Sequence, residues 1–87
     1  MRSIGPFGEG PGQFMDPLGV AVGGGGEIIV CDCDREDVQV FGREGALLQI
    51  IGAGGDSDVA FDATYYVATD GEGRLFVSDN RYVKMLS

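Results

Sequence analysis

The stretch that decides the fold is residues 10–41, which read GPGQFMDPLGVAVGGGGEIIVCDCDREDVQVF. It contains three short apolar runs, each bounded by turn residues: Leu18–Val22, Glu27–Cys31 and Val38–Phe41. The glycines between the first two runs supply the positive φ angles that a tight hairpin needs. A fourth run, Ala46–Ile51, follows another glycine-containing turn. No window has a helical period, so the stretch predicts a unit of four antiparallel strands.

The same unit occurs a second time. A shift of 47 residues aligns Phe14 with Phe61 and Asp32 with Asp79. The second copy predicts three strands and then stops: Tyr65–Thr69, Arg74–Ser78 and Tyr82–Leu86. Repeated supersecondary units of this length bury their apolar faces by stacking on one another, as in solenoids and propellers.

The first residues of the chain supply a strand where the second copy lacks one. Residues 2–5 precede the first unit just as residues 49–52 precede the second. We therefore expect residues 1–9 to form a displaced outer strand that completes a neighbouring blade. Residues 10–53 are then the first repeat, and residues 54–87 are a second repeat that lacks its last strand.

These residues resemble the NHL repeat, which forms six-bladed β-propellers in tripartite-motif proteins and in many bacterial proteins. The resemblance rests on residues 10–22, Ile28–Asp32 and Val38–Phe41, and is weaker in residues 67–81. In the second copy, Thr64 and Tyr66 replace the usual Pro and Gly before the first strand.

The loop after the second strand departs from the family pattern as well. In the first copy, Arg35 and Asp37 stand where the pattern carries Asn and Arg, and in the second copy this loop is shorter.

The expected fold is all-β, with two four-stranded antiparallel propeller blades. Two repeats cannot close a six-bladed ring, but three chains could, each giving its terminal strand to its neighbour. Such head-to-tail contacts form a ring when the rotation closes, and leave no unpaired edge strand. The alternative is that the chain is a truncated, excised or engineered piece of a propeller.

Composition excludes several classes of function. The chain has no histidine, which removes the commonest general base and the commonest zinc ligand. Its net charge of −8 disfavours nucleic acids and anionic membranes, because both are bound through Lys and Arg. No apolar run approaches the ~20 residues of a membrane helix. We expect a soluble, cytoplasmic protein without a cofactor.

No metal site is expected from the cysteines or the acidic residues. Cys31 and Cys33, two residues apart on a strand, suit neither a disulfide framework nor a four-ligand zinc site. The acidic residues of the following turn lack the spacing of a calcium-binding EF-hand loop. They predict a solvated acidic loop, with weak calcium binding as the alternative; they are Asp32, Asp34, Glu36 and Asp37.

Two sets of side chains are singled out. Asp32 and Asp79 end equivalent strands, and we expect both carboxylates to be structural, because a short carboxylate can accept backbone N–H bonds within a turn. Tyr and Arg are over-represented in the residues that dominate binding energies. The candidate partner-binding residues are therefore Arg35, Tyr66, Arg81 and Tyr82.

The expected function is a non-catalytic recognition or scaffold module that binds protein or peptide partners through a loop face, with self-association into a homotrimer. The first alternative is an RNA-binding NHL propeller, which the acidic charge disfavours. The second alternative is a metal-dependent propeller enzyme that resembles lactonases or an amidating lyase. The absence of histidine disfavours such an enzyme, and no catalytic residue is predicted.

Overall fold

A computed structural model of the chain describes residues 3–52, 61–70 and 72–86. The described residues form seven β-strands: β1 (Pro17–Val22), β2 (Ile28–Asp32), β3 (Asp37–Phe41), β4 (Leu47–Gly52), β5 (Tyr66–Thr69), β6 (Leu75–Ser78) and β7 (Val83–Leu86). Each strand lies within one residue of its predicted limits. No helix long and apolar enough to cross a membrane occurs in these ranges.

The strands form two antiparallel sheets. The first sheet has the order β1-β2-β3-β4, and the second has the order β5-β6-β7. The predicted all-β fold and its four-plus-three arrangement of strands are thus confirmed. The predicted boundary between the two repeats, at residues 53 and 54, lies outside the described residues.

The main core lies between the two sheets. Because successive residues of a strand point to opposite faces, one face of the first sheet can be apolar towards the second. The residues buried there are Ile29, Cys31, Val38, Ile51, Phe61, Leu75 and Val77. A smaller cluster lies on part of the opposite face of the first sheet and consists of Phe14, Val30 and Phe41, with Ile4 packed against it.

Strands β1 and β5 run side by side at the junction of the two sheets, and Gly19 allows their close approach. A Cβ atom on Gly19 would lie 2.9 Å from the Tyr65 carbonyl oxygen and 3.1 Å from the Tyr66 Cα. The fully buried Thr64 adds a polar link, since its hydroxyl lies 2.9 Å from the Asp32 carbonyl oxygen and 3.1 Å from that of Asp37.

The N-terminal segment lies on the first sheet much as the end of β4 lies on the second. Gly5 and Gly52 both have positive φ angles, of 114° and 100°. A Cβ on Gly5 would lie 2.6 Å from the Phe14 ring, and one on Gly52 would lie 2.7 Å from the Phe61 ring. At both positions the conformation and the close approach require glycine.

Candidate functional site

The candidate site is one end of the two sheets, which we call the loop end. It consists of the β2–β3 turn, the β6–β7 turn and the segments that enter β1 and β5. All of the side chains singled out in the sequence lie at this end or on its edge. Their hydrogen bonds decide which of them a partner could reach.

Asp32 organises the loop end of the first sheet. Its carboxylate is fully buried and accepts bonds from the N–H groups of Met15 (2.8 Å), Asp16 (3.0 Å) and Arg35 (3.1 Å). These bonds join the segment before β1 to the turn after β2, and they satisfy backbone donors that would otherwise be unpaired at this end.

Asp79 repeats this arrangement in the second sheet. Its carboxylate accepts bonds from the N–H groups of Asp62 (3.1 Å), Arg81 (2.9 Å) and Tyr82 (2.8 Å). Because these bonds favour the ionised form, they lower the pKa of Asp79 to about 2. Asp62 is 47 residues after Met15, so the repeat extends to individual hydrogen bonds.

Arg35 is turned inward. Its side chain is 6% exposed, and the guanidinium pairs with the Asp37 carboxylate at 3.0 Å and donates to the Gly10 carbonyl oxygen at 2.9 Å. Burial raises the pKa of Asp37, and the Arg35 pairing acts against this rise. Asp37 Oδ1 has no hydrogen-bond partner among the described residues. The geometry gives Arg35 a role in holding the segment before β1.

Gln39 is a buried polar residue that the sequence analysis did not single out. Its amide accepts from the Gly12 N–H at 2.9 Å and donates to the Gln13 carbonyl oxygen at 2.7 Å. Together with Arg35 it attaches residues 10–13 to the first sheet. A signal was present, because Gln39 interrupts the apolar run from Val38 to Phe41, but the bonded partners are about 26 residues away.

Arg81 and Tyr82 are adjacent and exposed in the β6–β7 turn. Their exposed fractions are 72% for the Arg81 side chain and 63% for Tyr82. Arg81 Nε lies 3.3 Å from Asp62 Oδ2, and the Lys84 amino group lies 5.8 Å from the centre of the Tyr82 ring. The turn therefore presents cationic and aromatic groups above a backbone that Asp79 holds.

Tyr66 is exposed on a different surface. It is 71% exposed and lies at the start of β5, on the face of the second sheet that points away from the first. Of the four predicted binding residues, the structure thus brings together Arg81 and Tyr82. It places Tyr66 on a neighbouring sheet face and Arg35 in the interior.

The predicted solvated acidic loop needs correction. Asp32 and Asp37 are fully buried, and only Asp34 of the four acidic residues is exposed. Burial removes the first two from solvent, so the four do not form one solvated cluster. Asp34 instead approaches Asp16 and Cys33, with ligand atoms within 4.8 Å of one another. Burial and these carboxylates raise the pKa of the Cys33 thiol, which disfavours the thiolate that binds metals.

Comparison with known proteins confirms the resemblance seen in the sequence. The family model for the NHL repeat matches residues 14–41. Over 42 residues, 48% of the chain, the protein is 50% identical to B-box type zinc finger protein ncl-1 of Caenorhabditis elegans. Over the same length it is 45% identical to Protein brain tumor of Drosophila melanogaster. The matched segment spans only 5% and 4% of those two proteins.

Proposed function

We propose that the chain, whose residues 14–41 match the family model for the NHL repeat, is a non-catalytic recognition module that binds a protein or peptide at the loop end. The observation that carries this proposal is the β6–β7 turn. It presents Arg81 and Tyr82 to solvent on a backbone held by two hydrogen bonds to the Asp79 carboxylate. Tyr and Arg are enriched in binding hot spots, and a preorganised backbone loses little conformational freedom on binding.

The chemistry of the turn favours a particular kind of peptide. Arg81 offers guanidinium N–H groups, Tyr82 offers an aromatic face, and the Lys84 amino group lies beside that ring. A carboxylate can pair with the guanidinium, and an apolar side chain can pack on the ring. The proposed ligand is therefore a peptide that combines an acidic residue with an apolar one.

We propose further that the module works as a ring of three chains with six blades. In the described part of the chain the second sheet has three strands, with β7 at one edge of the strand order. An unpaired edge accepts a strand readily. Gly5 lies against the Phe14 ring just as Gly52, at the end of β4, lies against the Phe61 ring. This equivalence supports the N-terminal segment of a second copy as the strand that is added beside β7.

The register of the added strand follows from the first sheet. There β3 and β4 pair Asp37 with Gly52, Val38 with Ile51 and Gln39 with Ile50. The equivalent pairs across two chains place Gly5 opposite Tyr82, Ile4 opposite Val83, and Ser3 opposite Lys84. Ile4 would then pack as Ile51 packs in the main core.

The binding proposal is tested by selecting peptides on the purified 87-residue protein and measuring their affinity for variants. We expect Arg81→Ala and Tyr82→Ala each to weaken a selected peptide by about 10-fold or more. Arg43→Ala is the matched control, because Arg43 is exposed in the β3–β4 turn at the opposite end of the first sheet. Equal affinities for all three variants would refute binding at the loop end.

The ring proposal is tested by the mass in solution, measured by native mass spectrometry or light scattering. Three chains of 9.1 kDa give a species of about 27 kDa. A Ser3→Cys/Lys84→Cys pair should cross-link neighbouring chains. Ser3→Cys/Met85→Cys, shifted by one residue so that the side chains point to opposite faces, should not. A species of 9.1 kDa at high concentration would overturn the ring.

A further inference from the structure

Two sheet faces of the structure are apolar and open to solvent. The groove face belongs to the first sheet and carries an open groove of about 590 Å³, lined by Ile4, Phe14, Leu18, Val20, Ile28 and Val30 among others. The tyrosine face is the outward face of the second sheet and carries Tyr66, Phe76, Val83 and Met85. Val20 is 65% exposed on the first face, and Val83 is 72% exposed on the second.

Each of the two faces is equivalent, by the repeat, to one side of the contact between the two sheets within the chain. In the junction between the sheets, the first sheet presents Ile29 and Val38, which the repeat aligns with Phe76 and Val83 of the tyrosine face. The second sheet presents Val67 and Val77, which align with Val20 and Val30 of the groove face. A second copy of the chain is therefore the partner whose surface each face already matches.

One position breaks this equivalence. Within the first sheet, Gly19 pairs with Cys31. Because Gly19 has no side chain, the backbone of Tyr65 and Tyr66 can approach it at the junction between the sheets. In the second sheet the same position is Tyr66, which pairs with Ser78. A tyrosine there excludes the close backbone approach that the glycine allows.

We propose that Tyr66 is the anchor of a head-to-tail interface between two copies, with its ring in the groove of the next copy beside Leu18 and Val20. This deepens the proposed ring and rests on it. In the internal junction, residue 19 faces the backbone of residues 65 and 66. By the repeat, residue 66 faces the backbone of residues 18 and 19 in the next copy, and these residues line the groove.

The groove suits an aromatic side chain with one polar end. Its lining combines aliphatic residues with the ring of Phe14, which packs at 5.7 Å from that of Phe41. Aromatic side chains remove a large apolar area from water and pack favourably against other rings. Gly5 and Gly19 also belong to the lining, so backbone groups lie beside its apolar side chains for a tyrosine hydroxyl to bond.

The alternative is that the Tyr66 side chain keeps two copies apart. Shortening this side chain to alanine distinguishes the two roles, because it weakens association if Tyr66 is an anchor and strengthens it if Tyr66 is an obstacle. We expect Tyr66→Ala to weaken the affinity between copies of the chain by about 10-fold or more relative to the wild type, and Tyr66→Phe to retain most of that affinity. Arg43→Ala is the control, since it removes an exposed side chain from the β3–β4 turn, which belongs to neither face. Association is measured by sedimentation over a concentration series, with circular dichroism to verify folding.

A second variant tests the contact itself. Val20→Lys puts a charge in the groove without disturbing a buried residue, because Val20 is 65% exposed. It should weaken association as Tyr66→Ala does, and the double variant should be no weaker than either alone, as expected of contacting residues. Unchanged or tighter association of Tyr66→Ala overturns the anchor while the ring stands. A wild-type chain that stays monomeric overturns both.

Discussion

Replacing Gly19 by alanine should destabilise the protein, whereas the same change at Gly42 should not. The added methyl at residue 19 would lie 2.7 Å from Cys31 Sγ and 2.9 Å from the Tyr65 carbonyl oxygen. Real Cβ atoms do not come so close, so the two sheets must move apart. At Gly42 the nearest atom would lie 3.7 Å away, an ordinary contact.

The size of the effect follows from two opposing terms. Overfilling a packed junction costs about 1–3 kcal/mol. Replacing glycine by alanine recovers about 0.4–1 kcal/mol by restricting the unfolded chain. We therefore expect Gly19→Ala to lower the free energy of unfolding by about 1–2 kcal/mol, and Gly42→Ala to leave it unchanged or raise it slightly. In a domain of this size, 1 kcal/mol corresponds to about 4–8 °C in Tm.

The assay is urea unfolding of both variants and the wild type, followed by circular dichroism at one fixed protein concentration. The concentration must be equal because self-association contributes to apparent stability. If Gly19→Ala is as stable as Gly42→Ala, the two sheets do not approach at Gly19, and the account of their junction is wrong.

Three further predictions concern buried polar groups and pH. Thr64→Val should lower the free energy of unfolding by about 0.5–1.5 kcal/mol by removing a buried hydroxyl bond to a backbone carbonyl, whereas Thr69→Val, whose bond to a carbonyl is exposed, should change it little in the same urea assay. Because the pKa of Asp79 is lowered to about 2, its stabilisation is complete above the unfolded value of 3.8 and is lost as pH falls towards 2; Asp79→Asn should flatten that part of the stability–pH curve, and an unaltered curve would contradict the turn geometry. Arg35→Met should destabilise by about 3–5 kcal/mol at pH 7, since it leaves Asp37 charged and unpaired in the interior. Because protonating Asp37 removes that charge, the variant should regain part of the loss at low pH, and equal losses at both pH values would argue against a buried pair.

The strands could be predicted because each is short, apolar on at least one face and bounded by turn residues. The equivalence of Asp32 and Asp79 was also visible, since the repeat aligns them and both end a strand. The alignment of the two repeats could not predict which of the neighbouring side chains are buried. Arg35 and Arg81 occupy similar places in sequence, yet one is buried against Asp37 and the other is exposed.

The missing information was long-range. Arg35 turns inward because it donates a hydrogen bond to the Gly10 carbonyl oxygen, 25 residues away. Gln39 likewise forms hydrogen bonds with the backbone of residues 12 and 13. The second sheet has a shorter loop at this position, and Lys84 stands at the place of Gln39. Local patterns predict which face a side chain takes, but not whether a distant segment covers it.

The link made by Thr64 has a consequence for how the molecule opens. Its hydroxyl belongs to the segment that enters the second sheet, but its acceptors are backbone groups at the ends of β2 and β3. Separating the sheets therefore breaks this link and exposes their shared core at the same moment. In native-state hydrogen exchange, the amides of β2 and β6 should therefore report a single common opening. The two repeats would then behave as one cooperative unit despite their separate sheets.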